Sequence, residues 1–198
     1  VGSAEHTLAP MHLNEIFEAG DLPRRYAGFS TCFRREAGSY GKDTKGILRV
    51  HQFDKLEMFS FVEPKDSFKE HEFLLAQEEK LMKLLGIPYR VVLICAGDMD
   101  WIDVKQYDIE AWLPGQNQYR ETHSCSNTGD FQARGLNIRY KDKQTKKIAF
   151  VHTLNATALA MGRIIIAILE NYQQKDGSVI VPKVLRKYVG KNKISLSK

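Results

Sequence analysis

Two segments, "YAGFSTCFRRE" (26–36) and "GILRVHQFDKLEMFSFVEP" (46–64), constrain this chain more than any other feature. Both are rich in aromatic and β-branched residues and read as strands. The intervening "AGSYGKDTKG" is charged and punctuated by glycine, which predicts a loop closing an antiparallel hairpin. Side chains alternate faces along a strand. Arg34 and Glu36 then share one face of the outgoing strand, and Arg49, His51, Phe53, Lys55 and Glu57 share one face of the return. Val50, Leu56 and Met58 form the opposite, apolar face, suited to a core. Alternating charge ordinarily marks a solvated face. An aromatic ring among the charges favours instead a sheet surface that holds a charged ligand.

The remaining periodicities predict helices laid against more strands. A helix is expected over 11–20, stopped by Gly20. A longer one covers "SFKEHEFLLAQEEKLMKLLG", with Phe73, Leu74, Leu81, Leu84 and Leu85 on its apolar face and Gly86 as its cap. "YRVVLICAG" reads as a buried strand, and "KQYDIEAWLPG" with "QYRETHSCSN" as an antiparallel pair. "KIAFVHTLN" is a strand that runs straight into a nearly all-apolar helix, "ATALAMGRIIIAILENYQQ". The expected fold class is α+β, an antiparallel β-sheet flanked by α-helices. At 198 residues the chain has room for one large domain, expected over 1–190, with a basic tail over 191–198.

A net charge of +5 suits a nucleotide or nucleic-acid partner without requiring one. Cys32, Cys95 and Cys125 form no CxxC pair, which argues against a disulfide framework or a zinc site. A reducing compartment follows, cytoplasm or an organelle matrix. No run approaches the ~20 apolar residues of a membrane span, so no membrane partner is expected. The opening "VGSAEHTLAP" carries neither an initiator Met nor a signal-peptide pattern, which predicts a fragment of a longer chain.

Chemistry points to three places. Arg163 falls two turns into the last predicted helix, among alanines, Gly162 and isoleucines. A charge there is costly unless paired, either with a bound phosphate or with a structural carboxylate. Asn155 and Thr157 flank the same strand-to-helix turn and suit helix capping. Glu121 and Ser124 lie three apart near a strand end and together offer oxygen ligands for Mg²⁺. The histidines show no metal-ligand spacing. No Ser-His-Asp triad and no GxxxxGK[ST] loop is present, so an ATP site here is not of the P-loop kind.

These blocks also resemble a known family. "FRREAGSYGKDTKGILRVHQFDKLEMF" resembles the second signature motif of class II aminoacyl-tRNA synthetases, in the form found in the seryl-tRNA synthetase family. "HTLNATALAMGRIIIAILENYQ" is similar to the third motif, "DIEAWLPGQNQYRETHSCSNTGDFQARGLNIRY" to the seryl-specific segment, and "DGSVIVPKVLRKYVG" to the C-terminal end. The resemblance implies the catalytic core of an ATP-dependent serine–tRNA ligase. Its partners would be ATP, L-serine and tRNA(Ser), with Mg²⁺ as cofactor and no zinc. It further implies that the first motif and an N-terminal coiled-coil arm lie outside this chain, and that the full-length protein is a homodimer.

The resemblance also implies roles, residue by residue. Arg34 and Arg163 would be catalytic. Arg34 would hold the ATP α-phosphate, Glu36 the adenine amino group and Phe53 the adenine ring, with Arg49 and Arg163 on the distal phosphates. Arg35, Val50, Thr122 and His123 would complete the ATP contacts, while Glu121 and Ser124 hold Mg²⁺ or ATP. Serine would meet Ser3, Ala4, Glu5, Arg34, Glu57, Asn155 and Thr157, with its ammonium on Glu57 and its hydroxyl on Asn155 and Thr157. The loop over 37–46 would contact the tRNA acceptor end. The chain departs from the usual motifs in "NATA" for "NGSG", "SAE" for "TAE", and Arg134-Gly135 for paired arginines. Two rivals are a non-catalytic paralogue acting as a binding or regulatory module, and an amino acid–carrier protein ligase. The retained charged set disfavours the first, and the lack of zinc cysteines the second.

Overall fold

The computed structural model describes residues 1–18, 20–36 and 46–195. Its frame is a six-stranded antiparallel sheet in the order β2-β3-β9-β6-β5-β4. The hairpin strands are β2 (Arg24–Phe33) and β3 (Gln52–Val62), paired without a break from Arg24↔Phe61 to Phe33↔Gln52. β4 (Tyr89–Leu93), β5 (Lys105–Leu113), β6 (Gln118–Asn127) and β9 (His152–Ala160) complete the sheet. The β5–β6 pair is the one its alternation predicts. The tRNA-contacting role expected for the loop over 37–46 falls almost wholly outside the described residues.

One face of the sheet packs on two helices, α2 (Ser67–Leu85) and α4 (Met161–Tyr172). Leu74, Leu75, Met82 and Leu85 of α2 join Leu154 and Ala156 of β9, Ile109 and Ala111 of β5, and Ile164 and Ala167 of α4 in one core. The buried stripe of α2 keeps Leu74 and Leu85 of the predicted face but not all of it: Phe73 and Leu84 are 38% and 50% exposed, whereas Glu70, His71 and Glu78 are buried. The helix turns its polar side chains inward because the sheet offers partners for two of them. Glu70 takes two bonds from Arg25, and His71 bonds the Cys125 carbonyl at 2.9 Å.

The other face is covered only at one end. There α1 (Glu5–Leu8) and a small sheet of β1 (Ile16–Phe17), β7 (Arg139–Lys141) and β8 (Ile148–Phe150) enclose Phe59 and Phe61 in a second core. Gly28 on β2 lets α1 approach closely, since a Cβ there would stand 3.0 Å from both Ala4 Cβ and Leu8 Cδ1. A third helix, α3 (Phe131–Leu136), joins this layer. The uncovered part of the face forms a cavity.

Three expectations are corrected. The described residues of 11–20 form no α-helix: a 3₁₀ turn, Ala9–His12, leads into β1, where Phe17 is buried and pairs in parallel with Tyr140. Tertiary pairing of two apolar residues overrides a helical spacing that spans too few turns to stand alone. "YRVVL" is not a buried strand but the sheet edge, with Val91 38% and Leu93 60% exposed. β9 continues through Ala160, so Asn155 and Thr157 are strand residues rather than caps, and Arg163 stands in the first turn of α4. In the segment 191–198, Lys193 and Ile194 pair with Ile180 and Val179, tying its start to the domain.

Glu70 is 5% exposed and takes bonds from Arg25 Nε at 2.6 Å, Arg25 Nη2 at 2.7 Å and Ser60 Oγ at 2.8 Å. Removing the guanidinium strands a buried carboxylate. Arg25→Ala is therefore expected to lower the unfolding free energy by about 2 kcal/mol in denaturant melts. Arg90→Ala, which breaks a comparable but exposed pair with Glu110, is expected to cost under about 1 kcal/mol.

Candidate active site

The cavity measures about 390 Å³ and is floored by β3, β9 and β6. Ser124 and Ser126 of β6, Asn155 and Thr157 of β9, and Phe53 and Lys55 of β3 line it, as period-two alternation requires. Two bulges add residues that alternation alone would exclude. On β6, Glu121 pairs with Glu110 and His123 with Ile109, leaving Thr122 as the extra residue. Glu121 and Ser124, three apart, thereby both reach the cavity. On β9, Thr157 pairs with Glu57 and Leu159 with Leu56, leaving Ala158 as the extra residue, so that Ala160 lines the cavity along with Thr157.

The cavity mouth carries the cations. Arg34, Arg35 and Glu36 lie past the end of β2, and Arg49, Val50 and His51 lie before β3, so strand alternation does not place them. The chain is held here by the Arg34 amide donating to the His51 carbonyl at 2.9 Å, and by the Arg34 carbonyl 3.0 Å from His51 Nδ1. The Arg34 guanidinium stands 5.3 Å from the Phe53 ring centre and donates through Nε to the Gly2 carbonyl at 3.1 Å. Arg49 Nη1 meets Glu36 Oε2 at 2.5 Å, and its buried Nε has no hydrogen-bond partner among the described residues. Val50 lines the cavity rather than the core face on which alternation put it.

Arg163 reaches the cavity from the N-terminal turn of α4 and meets both Glu121 Oε1 and the Glu121 carbonyl at 3.0 Å. Of the alternatives open for this Arg, the structure shows a carboxylate partner, itself a cavity residue. Gly162 beside it allows a close approach, since a Cβ there would stand 3.1 Å from the Ile47 carbonyl oxygen.

The far end is acidic. Glu5 accepts from Gln132 Nε2 at 2.6 Å and from Asn155 Nδ2 at 3.3 Å. Of the "SAE" turn only Glu5 lines the cavity; Ser3 and Ala4 are buried, and Ser3 Oγ accepts from the Glu5 amide. Glu57 lies beneath the lining with its carboxylate 2.5 Å from Lys55 Nζ, and burial pushes its pKa up against the pull of Lys55. Arg35 is exposed outside the lining. His123 points to the opposite face, where burial drives its pKa down to about 4, leaving the imidazole neutral. Thr122 lines the cavity while its hydroxyl bonds the Ile109 carbonyl.

Lys55, Gln106, Asp103 and Ser126 also line the cavity and were not singled out from the sequence as ligand contacts. Lys55 was visible to alternation, midway between Phe53 and Glu57. Asp103 left no signal, because it sits in an irregular segment before β5. Its carboxylate accepts from Ser126 Oγ at 2.6 Å, and burial, with Asp100 and Glu5 near it, pushes its pKa up to about 6.

Glu121 and Ser124 are hard oxygen donors beside Asp108, whose pKa burial raises to about 6, with the Glu121 charge adding to the rise. That donor set fits Mg²⁺, which takes one or two carboxylates and leaves its other positions to water and phosphate. Among the described residues no cluster of three His, Cys, Asp or Glu side chains could hold a metal without such help.

The chain is similar to known proteins along nearly its whole length. Residues 2–172 match the family described as tRNA synthetase class II core domain (G, H, P, S and T). The chain belongs to the class II aminoacyl-tRNA synthetases. Within them its similarity is to the seryl enzymes: it is 53% identical over 193 residues to the serine–tRNA ligase of Nitrosopumilus maritimus, covering 98% of this chain and 46% of that protein. With the serine–tRNA ligase of Pyrococcus abyssi it shares 55% over 190 residues, covering 96% of this chain and 42% of that protein. The crystal structure of seryl-tRNA synthetase from Pyrococcus horikoshii complexed with ATP matches with a TM-score of 0.96 at 54% identity, over 100% of this chain and 44% of that one. Cytoplasmic serine–tRNA ligase from Naegleria fowleri in complex with AMP matches at 0.94 and 43% identity, over 100% and 47%. The chain thus spans just under half the length of these relatives.

Asp108 gives a pH test. A carboxyl whose folded pKa is about 6 against an ordinary 3.8 binds its proton more tightly when folded, so its contribution to stability falls as pH rises between those values. Asp108→Asn is expected to raise the melting temperature at pH 7.5, with the gain shrinking below pH 6 and vanishing near pH 3.8. Thermal melts across that range check it.

Proposed function

We propose that this domain activates L-serine with ATP and that the full protein transfers the serine to tRNA(Ser). One observation carries the reading: Arg34, Arg49, Phe53, Glu121, Ser124 and Arg163, drawn from the β2–β3 connection, β3, β6 and α4, line a single cavity. Its likeness to serine–tRNA ligases, one of them crystallised with ATP, supports the assignment. Among the described residues no helix is long and apolar enough to cross a membrane. Three free cysteines accord with a reducing compartment, cytoplasm or organelle matrix. A homodimer of the full protein belongs to the same reading.

The site's charges are arranged for phosphoryl chemistry that needs positioning more than a protein nucleophile. Phe53 offers a ring for the adenine to stack on, with Glu36 near it to accept from the exocyclic amine. Arg34 holds the α-phosphate beside the serine carboxylate. A carboxylate oxygen attacks the α-phosphorus in line; its new bond forms as the bond to the bridging oxygen breaks, and pyrophosphate leaves with that electron pair. Arg49 and Arg163 neutralise the charge on the departing phosphates. Arg163 stands at the N-terminus of α4, which adds the favourable end of the helix dipole. Mg²⁺ held by Glu121 and Ser124 would supply further charge neutralisation there when bound. A hydroxyl oxygen of the terminal tRNA adenosine then attacks the acyl carbon of seryl-adenylate; the ester bond forms as the acyl–phosphate bond breaks, AMP leaves with that electron pair, and the hydroxyl proton is released.

At the amino-acid end, Glu57 receives the ammonium, and Asn155 and Thr157 receive the hydroxyl, with Glu5 orienting Asn155. Alanine would leave the buried Thr157 hydroxyl without that partner, which sets selectivity for a hydroxylated side chain.

Serine-dependent ATP–pyrophosphate exchange tests the proposal. The purified protein is expected to exchange with serine and at least 100-fold less with alanine. Arg163→Ala is expected to lower exchange by about 10²–10³-fold while the far-ultraviolet circular dichroism stays unchanged. No serine-dependent exchange by folded protein overturns the reading, and wild-type exchange in Arg163→Ala overturns the role given to that Arg.

A further inference from the structure

Trp101 has the most exposed large hydrophobic side chain among the described residues, with 81% of it open to solvent. Tryptophan is on average a highly buried residue type. Its backbone is nevertheless held on both sides. Trp101 stands at the tip of a turn closed by the Asp103 amide, which donates to the Asp100 carbonyl at 2.9 Å. Just before the turn, the Met99 amide donates to the Cys95 carbonyl at 3.1 Å, and just after it the Val104 amide donates to the Asn127 carbonyl at 2.8 Å. The indole also meets Phe131, the first residue of α3, edge to face, with ring centres 4.8 Å apart and planes at 81°. Phe131 is itself 45% exposed. The two rings thus form an aromatic corner on a fixed rim. Asp100, Ile102 and Asp103 of the same turn line the cavity, so the corner stands at the cavity's edge.

The charge at that edge is negative. Asp100 and Glu5 both act on the Asp103 carboxyl, which places three acids together beside the turn. Such an edge repels phosphate and accepts neutral rings and hydrogen-bond donors. The last nucleoside of an RNA chain is a group of that kind. It has a flat uncharged base, two free ribose hydroxyls that can donate to carboxylates, and no phosphate beyond it. We propose that the Trp101–Phe131 corner is the platform on which the terminal base of the acceptor tRNA stacks, with the acids of the rim beside its ribose hydroxyls. The inference rests on the proposed function and deepens it. Acyl transfer needs a terminal hydroxyl oxygen close to the acyl carbon inside the cavity, and a base stacked at the edge fixes the ribose next to it. Stacking on an aromatic side chain is sequence-tolerant, and each stacked base is worth about 10-fold or more in affinity. Trp101 is thus a positioning residue for the second step, with no part in the first.

The test is single-turnover transfer by the full protein, loaded with seryl-adenylate and mixed with subsaturating tRNA(Ser). Two tRNAs are compared, the natural one and one whose terminal nucleotide lacks its base. Wild-type protein is expected to transfer about 10-fold more slowly to the baseless tRNA. Trp101→Ala is expected to lose about 10-fold on the natural tRNA and nothing further on the baseless one, because each change removes the same contact. Trp101→Phe, which keeps a ring, is expected to stay within about 3-fold of wild type. Serine-dependent pyrophosphate exchange is expected to be unchanged in both variants, since Trp101 does not line the cavity. Wild-type transfer by Trp101→Ala overturns the inference, and so does a wild-type protein indifferent to the missing base. Losses that multiply when the two changes are combined overturn it as well, as does a Trp101→Ala protein that loses exchange as much as transfer. Failure of wild-type protein to exchange serine at all would instead overturn the proposed function, so the two failures are distinguishable.

Discussion

Everything in this domain depends on the antiparallel pairing of β9 between β3 and β6. One face of those three strands is sealed by α2 and α4, which leaves the other face to bind. Strand alternation would then give each strand one cavity residue in two. The bulges at Thr122 and Ala158 break that rule where the site needs it, adding Glu121 on one strand and Ala160 on another. A bulge interrupts ladder hydrogen bonds, and the buried neighbours on both sides hold the strands in register around it.

Three of the cations in or beside the cavity are held by carboxylates of the same site. Arg49 rests on Glu36, Arg163 on Glu121 and Lys55 on Glu57. Each pair offers an anionic substrate group a cation and a cationic group a carboxylate. Such pairing lowers the electrostatic penalty of holding many ions in one cavity. Arg49 and Arg163 keep Glu36 and Glu121 beside them, while Glu5 stands with Asn155 and Gln132, so the cations gather at one part of the site.

Much of this was legible in residue order. The hairpin, the β5–β6 pair and the capped α2 followed from alternation, turn residues and Gly86. The strand and helix pattern supplied the α+β class, and the resemblance to class II synthetases named the core. What failed did so for nameable reasons. The helix expected over 11–20 lost to parallel pairing of Phe17 with Tyr140, a contact more than a hundred residues away in the chain. The face assigned to α2 followed leucine spacing, whereas the sheet above it offered hydrogen bonds to Glu70 and His71. Asn155 and Thr157 looked like caps because nothing local shows that β9 runs on to Ala160. Asp103 and Gln106 entered the site without any motif to announce them.

Sequence alone therefore determined which groups are available: the arginines, Phe53, the acids, and the strands able to carry them. Their types and order are local properties, and local rules read them. Only the tertiary structure decided which of them meet. Arg163 reaches Glu121 across 42 positions of chain, and Asn155 reaches Glu5 across 150. Lys55 and Glu57 are two residues apart in the chain, yet their burial comes from β2, β9 and α1 packed around them. Charge and spacing are written along the chain. Desolvation, which gives those charges their strength, exists only once distant segments have closed over them.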